Sequence, residues 1–292
     1  MISIFTPTFN RRKLLSVLKD SIDEQNCTDF EWIIVDDGSV DGTREMVEEW
    51  LKQKPAYHLI YQYQENQGKH IAFNTAVRIS KGEWIICVDS DDYLSKDAVT
   101  TMYSDIEKVD GDSIGIVYPK NLEGLSDEDK WRKIDQKKVD IMDLKTVFDI
   151  PESAILMRRK NIVNLSFPQI EKEKFIPEGW LYQKLINQGK FKAHNSTFYY
   201  GAYQPEGLTS NVWKLWANNA TGVLMVLREK YRLMNKYPFS TRMIGKIKCL
   251  INLNTICLRS GKPIRSESPA PILSGALFLP SIYFYQKRFG KK

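Results

Sequence analysis

The chain has 292 residues, of which 42% are hydrophobic and 27% charged, with a formal net charge of +6. That balance excludes a disordered or low-complexity chain and leaves room for one large domain or two modest ones. The charge is uneven: residues 213–292 carry 15 Lys/Arg against two acids, Glu229 and Glu267, and residues 1–212 carry 27 against 34, so a body of −7 meets a tail of +13.

The first hundred residues alternate between two periodicities. Residues 2–6 are an apolar strand, and residues 11–24 place Leu14, Leu15, Leu18 and Ile22 on one face of a helix. Residues 30–35 form a second strand, followed by a helix that opens at Asp41-Gly42-Thr43 and stops at Pro55. A third strand (58–63), a helix (69–80), a fourth strand (83–88), a helix (95–107) and a fifth strand (113–118) complete a βαβα order. Such an order predicts an α/β fold with a mostly parallel sheet flanked by helices. Beyond Pro119 the pattern loosens, and the charged residues 120–140 read as a solvated loop or excursion. A strand at 153–157, a helix at 178–187 and a strand at 192–200 follow, then helices at 212–236 and 241–258. The predicted organisation is an α/β domain over 1–211 and a basic helical appendage over 212–292.

Two strands end abruptly in acids: Trp32-Ile33-Ile34-Val35 runs into Asp36-Asp37-Gly38-Ser39, and Trp84-Ile85-Ile86-Cys87-Val88 runs into Asp89-Ser90-Asp91-Asp92. Ligands of parallel α/β sheets bind beyond the carboxyl ends of the strands. The second cluster suits Mg²⁺ or Mn²⁺, which take carboxylate oxygens and share their other positions with phosphate and water. Either cluster could equally be a turn with an Asp cap. No dinucleotide fingerprint, P-loop or G-x-S-x-G elbow is present, and His58, His70 and His194 are too scattered to predict a zinc site. The four cysteines have no C-x-x-C spacing, and no basic stretch precedes Ile2. Both features predict a reducing, cytoplasmic setting without a signal peptide.

Four segments carry a resemblance. Ile4-Phe5-Thr6-Pro7-Thr8-Phe9-Asn10-Arg11, Val35-Asp36-Asp37-Gly38-Ser39, Asn66-Gln67-Gly68-Lys69 and Asp89-Ser90-Asp91-Asp92 stand in the order and spacing of family 2 glycosyltransferases, which have the GT-A fold. The resemblance is strong over residues 1–120, weaker to about 210 and absent beyond. It implies that Thr6, Pro7, Asp36 and Asp37 hold the nucleotide base, with the Asp37 carboxylate accepting the N3–H of uracil. It further implies that Gly68 and Lys69 approach the phosphates and that Asp91 meets the ribose or a metal-bound water. Asp92, with Asp89, becomes the ligand of Mn²⁺ or Mg²⁺.

Family members often place an acidic pair at the start of a later helix. Here Phe175-Ile176-Pro177-Glu178-Gly179-Trp180-Leu181 offers one acid, so Glu178 is the candidate base, with Gly179 where an Asp is often found. Glu178 would also serve as a plain helix-terminal carboxylate. The run Tyr203-Gln204-Pro205-Glu206-Gly207-Leu208-Thr209-Ser210-Asn211 resembles a loop that closes over the sugar nucleotide, or is a surface turn, and no Q-x-x-R-W motif of processive synthases is present.

In the tail, residues 272–285 are free of charge but interrupted by Pro280, too short to span a bilayer. With Lys287, Arg288, Lys291 and Lys292 alongside, they read as an interfacial segment on an anionic membrane, or as a helical cap on the α/β domain. No nucleic-acid module is recognisable. The expected protein is therefore an inverting, metal-dependent glycosyltransferase that moves one sugar, UDP-linked in first expectation, to an acceptor hydroxyl. A lipid-linked glycan at the inner face of the cell membrane is the expected acceptor. The alternatives are a sugar-nucleotide nucleotidyltransferase and a non-catalytic nucleotide-binding scaffold.

Overall fold

The first apolar run forms strand β1 (Ile2–Thr8), and every residue of β1 and of β2 (Phe30–Asp36) is buried. Both faces of a parallel sheet are covered, which is why runs such as residues 32–35 are apolar on both sides, and the buried Ser3 hydroxyl donates to the buried Glu31 carboxylate on the neighbouring strand. Between them helix α1 (Arg12–Asp23) buries Leu15, Leu18 and Ile22, and after β2 helix α2 (Thr43–Lys52) buries Val47. Strand β3 (His58–Tyr63), helix α3 (Lys69–Ile79) and strand β4 (Trp84–Cys87) follow.

These strands lie parallel in the order β3-β2-β1-β4, with Ile4 facing Trp32 on one side and Ile86 on the other. The chain therefore steps outwards from β1 in one direction, then returns to its other side. The carboxyl ends of β1 and β4 flank this topological switch point, where open α/β sheets bind their ligands.

The computed structural model describes residues 1–122, 127–201 and 212–290. After β4 come β5 (Asp92–Leu94), α4 (Ala98–Ile106), β6 (Gly115–Leu122), α5 (Glu128–Ile134), β7 (Lys138–Val139), α6 (Ile141–Thr146), β8 (Ser153–Arg158), α7 (Arg159–Ile162), α8 (Gly179–Leu185), β9 (Phe191–Ala193) and β10 (Tyr199–Gly201). Strand β8 inserts antiparallel between β4 and β6; β10 lies parallel to β6 and antiparallel to β5. At Gly115 an added Cβ would stand 2.5 Å from the Leu156 carbonyl oxygen, so the close approach of β6 to β8 requires glycine there.

Within the sheet, two details differ from the expectations. Residues 120–140 are an excursion with structure of its own and not one solvated loop, because Trp131 and Ile134, 2% and 1% exposed, anchor α5 beneath its charged face. The strand expected over 192–200 is two short strands, β9 and β10, broken around the buried His194. The chain turns at Ser90 and Asp91 and then pairs with β10 as strand β5.

The chain divides into two compact units, one of Met1–Phe167 with Lys184–Gln204, the other of Pro168–Gln183 with Pro205–Lys292. The first holds the whole sheet, and its core includes Ile4, Leu15, Trp32, Ile34, Ile86, Val99 and Tyr118. The indole of Trp32 stacks on Trp50 with ring centroids 6.1 Å apart.

The second unit continues with α9 (Val212–Asn218), α10 (Ala220–Leu233), α11 (Phe239–Ser260), α12 (Ile264–Glu267), α13 (Pro271–Ala276) and α14 (Phe278–Phe289). Val223, Leu224 and Leu227 of α10 pack with Leu253, Ile256 and Cys257 of α11. Residues 168–183 join it partly because the Glu173 carboxylate accepts the N–H groups of Thr221 and Gly222 at 2.7 and 2.8 Å, capping the first turn of α10. The single helix expected over 212–236 breaks at Asn219, whose Oδ1 accepts the Lys174 N–H at 2.7 Å. The uncharged run 272–285 falls on α13 and α14, and no described helix is long and apolar enough to cross a membrane.

Candidate functional site

Four loops leave the carboxyl ends of β1 to β4, and acids stitch them together. Asp36, the last residue of β2, is fully buried; its Oδ1 accepts the Ser39 N–H at 2.8 Å and its Oδ2 accepts the Tyr61 hydroxyl at 2.7 Å. Asp37, 5% exposed, fastens the loop after β3. Its Oδ1 accepts Gln64 Nε2 at 2.7 Å and the Gln67 N–H at 2.8 Å, and its Oδ2 accepts the Gly68 N–H at 2.7 Å. An ionised carboxylate has about four acceptor positions, so about one remains for a ligand. Gly38, at φ 89°, lets this contact form, since a Cβ there would sit 2.9 Å from the Asn66 nitrogen.

At the end of β1, Thr6 is fully buried and accepts the Trp32 indole N–H at 3.0 Å. Pro7 is buried beside it, and the hydroxyl of buried Thr8 has no protein partner. Asn10, at φ 52°, donates its N–H to Ser39 Oγ and accepts the Val40 N–H, both at 2.9 Å, so the β1 and β2 loops are locked together. Arg11 then reaches Asp91 Oδ2 at 2.8 Å and joins both to the loop after β4.

That last loop is a concentrated set of charges. Lys69 Nζ lies 2.7 Å from Asp89 Oδ1; Lys120 Nζ lies 3.6 Å from Asp89 Oδ2 and 2.8 Å from Asp92 Oδ2. The Tyr199 hydroxyl accepts the Asp89 N–H at 2.9 Å and donates to Asp92 Oδ2 at 2.7 Å. Burial alone would raise the Asp89 carboxyl, but the two ammonium groups hold it down at about 2. Asp92 is 5% exposed, and there burial prevails, moving its carboxyl above the usual range despite Lys120. Lys120 is itself held above the ordinary lysine range: burial opposes its charge, and the carboxylates of Asp89 and Asp92 outweigh that.

Thr6, Pro7, Asp36, Asp37, Gly68, Lys69, Asp89, Asp91 and Asp92 are thus brought to one edge of the sheet, at the ends of four adjacent strands and in the loops that follow them. Glu178 belongs to the second unit. It is exposed just before α8, where its Oε2 accepts the Tyr182 hydroxyl at 3.0 Å. The run 203–211 lies outside the described residues. Lys120 and Tyr199 join the candidate site through their contacts with Asp89 and Asp92, and neither stands out in the sequence. Ending the fifth strand at Tyr118 hid Lys120, although the two-residue period from Ile116 and Tyr118 carries on to it.

Among the described residues no group of three or more His, Cys, Asp or Glu side chains is arranged to hold a metal ion. Asp89 and Asp92 nevertheless converge on one cation, the Lys120 ammonium. Two carboxylates around a shared positive charge fit a hard divalent cation that draws its other oxygens from phosphate and water.

A mostly parallel α/β sheet with carboxylates and ammonium groups gathered at its switch point is the architecture of the GT-A fold. The family model "Glycosyl transferase family 2" matches residues 3–165, more than half of the chain, and the chain belongs to this family. Among curated relatives, a putative teichuronic acid biosynthesis glycosyltransferase, TuaG of Bacillus subtilis, is 35% identical over 33% of this chain and 38% of its own length. A poly(ribitol-phosphate) beta-glucosyltransferase of Bacillus spizizenii is 28% identical over 64% of this chain and 30% of its own. The chain thus matches only about a third of the length of these relatives. The crystal structure of S. aureus TarS 1–349 in complex with UDP-GlcNAc superimposes with a TM-score of 0.62 at 16% identity, covering 99% of this chain and 91% of that one. A mannosyltransferase of Pyrobaculum calidifontis, in complex with GDP-Man and Mn²⁺, gives 0.58 at 16% identity, with 98% and 83% covered.

Proposed function

We propose that this chain transfers a single sugar from a nucleotide-sugar, UDP-linked by preference, to an acceptor hydroxyl with inversion at the anomeric carbon. The observation that carries this reading is the convergence of Arg11, Lys69 and Lys120 on Asp91, Asp89 and Asp92 at the switch point of the sheet. Three basic groups suit a diphosphate, and the carboxylates suit its accompanying cation. The name of the TarS complex, with UDP-GlcNAc, supports a UDP-sugar, and the mannosyltransferase with GDP-Man and Mn²⁺ supports a divalent metal.

In this reading Thr6, Pro7, Asp36 and Asp37 shape the base pocket. Asp37 keeps the Gln67–Gly68 backbone in place for the nucleotide, and about one acceptor position of its carboxylate remains for a base N–H. Lys69 lies beside the phosphates, and Asp91 meets the ribose. Mn²⁺ or Mg²⁺ would be held by Asp89 and Asp92, and would neutralise the charge that builds on the diphosphate as it leaves. The acceptor oxygen attacks C1 while the C1–O bond to phosphate breaks, and Glu178 receives the hydroxyl proton. The test is a panel of UDP-, GDP- and CDP-sugars with glycan and lipid-linked acceptors, followed by product NMR. A β-linked product from an α-linked UDP-sugar is expected; transfer with retention, or pyrophosphate release from a nucleoside triphosphate, would contradict the reading.

We further read the tail as resting on an anionic leaflet at the inner face of the cell membrane, close to a lipid-linked acceptor in cell-surface polysaccharide assembly. The support is that Ile272, Phe278, Leu279 and Tyr283 of α13 and α14 are 92%, 40%, 76% and 61% exposed in an uncharged run followed by Lys287 and Arg288. Each basic residue near such a surface adds about 1 kcal/mol. Co-sedimentation with phosphatidylglycerol vesicles is expected and should fall at least tenfold in Leu279→Glu; equal binding to neutral vesicles would contradict it.

A further inference from the structure

Each acid of the loop after β4 already has a positive partner: Asp91 has Arg11, Asp89 has Lys69, and Lys120 lies between Asp89 and Asp92. Arg11 and Lys69 are about a quarter exposed, but the Lys120 side chain is only 13% exposed. Its position is built into the sheet. Lys120 of β6 pairs in register with Tyr199 of β10, its ammonium lies 4.8 Å from the centre of the Tyr199 ring, and the Tyr199 hydroxyl joins Asp89 to Asp92. Asp92 has little freedom to turn away, because a Cβ on Gly201 would meet its Oδ1 at 2.1 Å, a measure of how closely that backbone approaches. A buried ammonium fixed between two carboxylates occupies the field that a divalent cation would use.

We propose that Lys120 is the resident counter-cation of the acidic loop, a positioning residue that makes capture of a divalent metal conditional on arrival of the nucleotide diphosphate. The inference rests on the donor-site reading above. Without the diphosphate, a bare dication meets carboxylates that are already neutralised and an ammonium a few ångströms away, so it binds weakly. The diphosphate brings enough negative charge to hold both cations together. Metal and nucleotide therefore strengthen each other, and by linkage each does so by the same factor. Removing the Lys120 charge releases the carboxylates to a bare metal and shrinks that mutual factor.

The experiment reads free Mn²⁺ by electron paramagnetic resonance, with and without saturating UDP, in the wild-type chain and in Lys120→Met, Lys120→Gln and Lys120→Arg. In the wild type, Mn²⁺ affinity is expected to rise at least tenfold with UDP. In Lys120→Met the affinity without UDP should tighten about tenfold and the gain from UDP should fall towards unity, while Lys120→Arg keeps the wild-type pattern. A residue that only supports the fold would loosen metal binding when removed, so the direction of change separates the two roles. Lys120→Gln gives the same comparison if the methionine variant does not fold. UDP-enhanced Mn²⁺ binding with unchanged or weaker UDP-free affinity in both neutral variants would overturn the role of Lys120 and leave the donor site standing. Absence of UDP binding to the wild type at saturating Mn²⁺ would remove the donor-site reading and this inference together.

Discussion

Asp37→Asn is the sharpest perturbation of the loop scaffold. The carboxylate accepts three hydrogen bonds, two on Oδ1 and one on Oδ2, at 2.7 to 2.8 Å, and two of the donors are the backbone N–H groups of Gln67 and Gly68. Asparagine has one acceptor oxygen, so one N–H must face the new NH₂ whichever way the amide turns. One charge-assisted bond is lost outright, at about 2 kcal/mol, and two become neutral bonds at about 0.5 kcal/mol each, giving about 3 kcal/mol in total. At 1.36 kcal/mol per tenfold change, opening of the Gln67–Gly68 segment should become about 100-fold more frequent. Hydrogen exchange of the Gln67 and Gly68 amides reads this directly, with β4 amides as an internal reference. Amides of 67 and 68 whose protection changes less than threefold would refute the view that Asp37 is the fastener between the β2 and β3 loops.

Further outcomes follow from the same geometry. Gly201→Ala places a Cβ 2.1 Å from Asp92 Oδ1 and 3.0 Å from Leu122 Cδ2, and should cost about 2–3 kcal/mol in urea unfolding; an unchanged midpoint would mean Asp92 is free to move. Asp89 is held at about 2 in the folded chain and titrates near 4 when unfolded, so its pairing contributes fully above pH 4 and is lost as the pH falls towards 2. Asp89→Asn should therefore lower stability by about 1–2 kcal/mol at pH 7 and by much less at pH 2.5, and an equal loss at both would contradict the ion pairing. Burial raises the thiol of Cys257 to about 12, with a smaller push from Glu267, and Cys249 is likewise raised by burial. A disulfide reagent at pH 8 should therefore modify at most two of the four thiols until denaturant is added; rapid modification of three or four would contradict the packing of α10 on α11.

The sheet is legible in the sequence because its central strands are unusually plain. Residues 32–35 and 84–88 are apolar on both faces, and each run stops where the backbone leaves the sheet and water becomes accessible. Asp36, Asp37, Asp89, Asp91 and Asp92 could be named because two such runs end in acids within one sheet, in the order and spacing of the family's segments. What those acids touch was not legible. The Asp37 contacts to residues 64–68 and the Lys120–Tyr199 register depend on pairings 27 to 31 and 79 residues apart along the chain, which no local pattern encodes. Helix α5 was hidden for a different reason: its charged face outnumbers its two anchors, Trp131 and Ile134. The break at Asn219 was invisible because the partner that stabilises it, the Lys174 N–H, lies 45 residues earlier.

The most direct test of the account is a calorimetric titration of UDP, GDP and CDP into the full chain, with and without Mn²⁺. The account predicts UDP binding that is strengthened by Mn²⁺, weaker binding of GDP and CDP, and loss of the Mn²⁺ effect in Asp92→Asn. No nucleotide binding under any of these conditions, in a chain that still unfolds cooperatively, would contradict it.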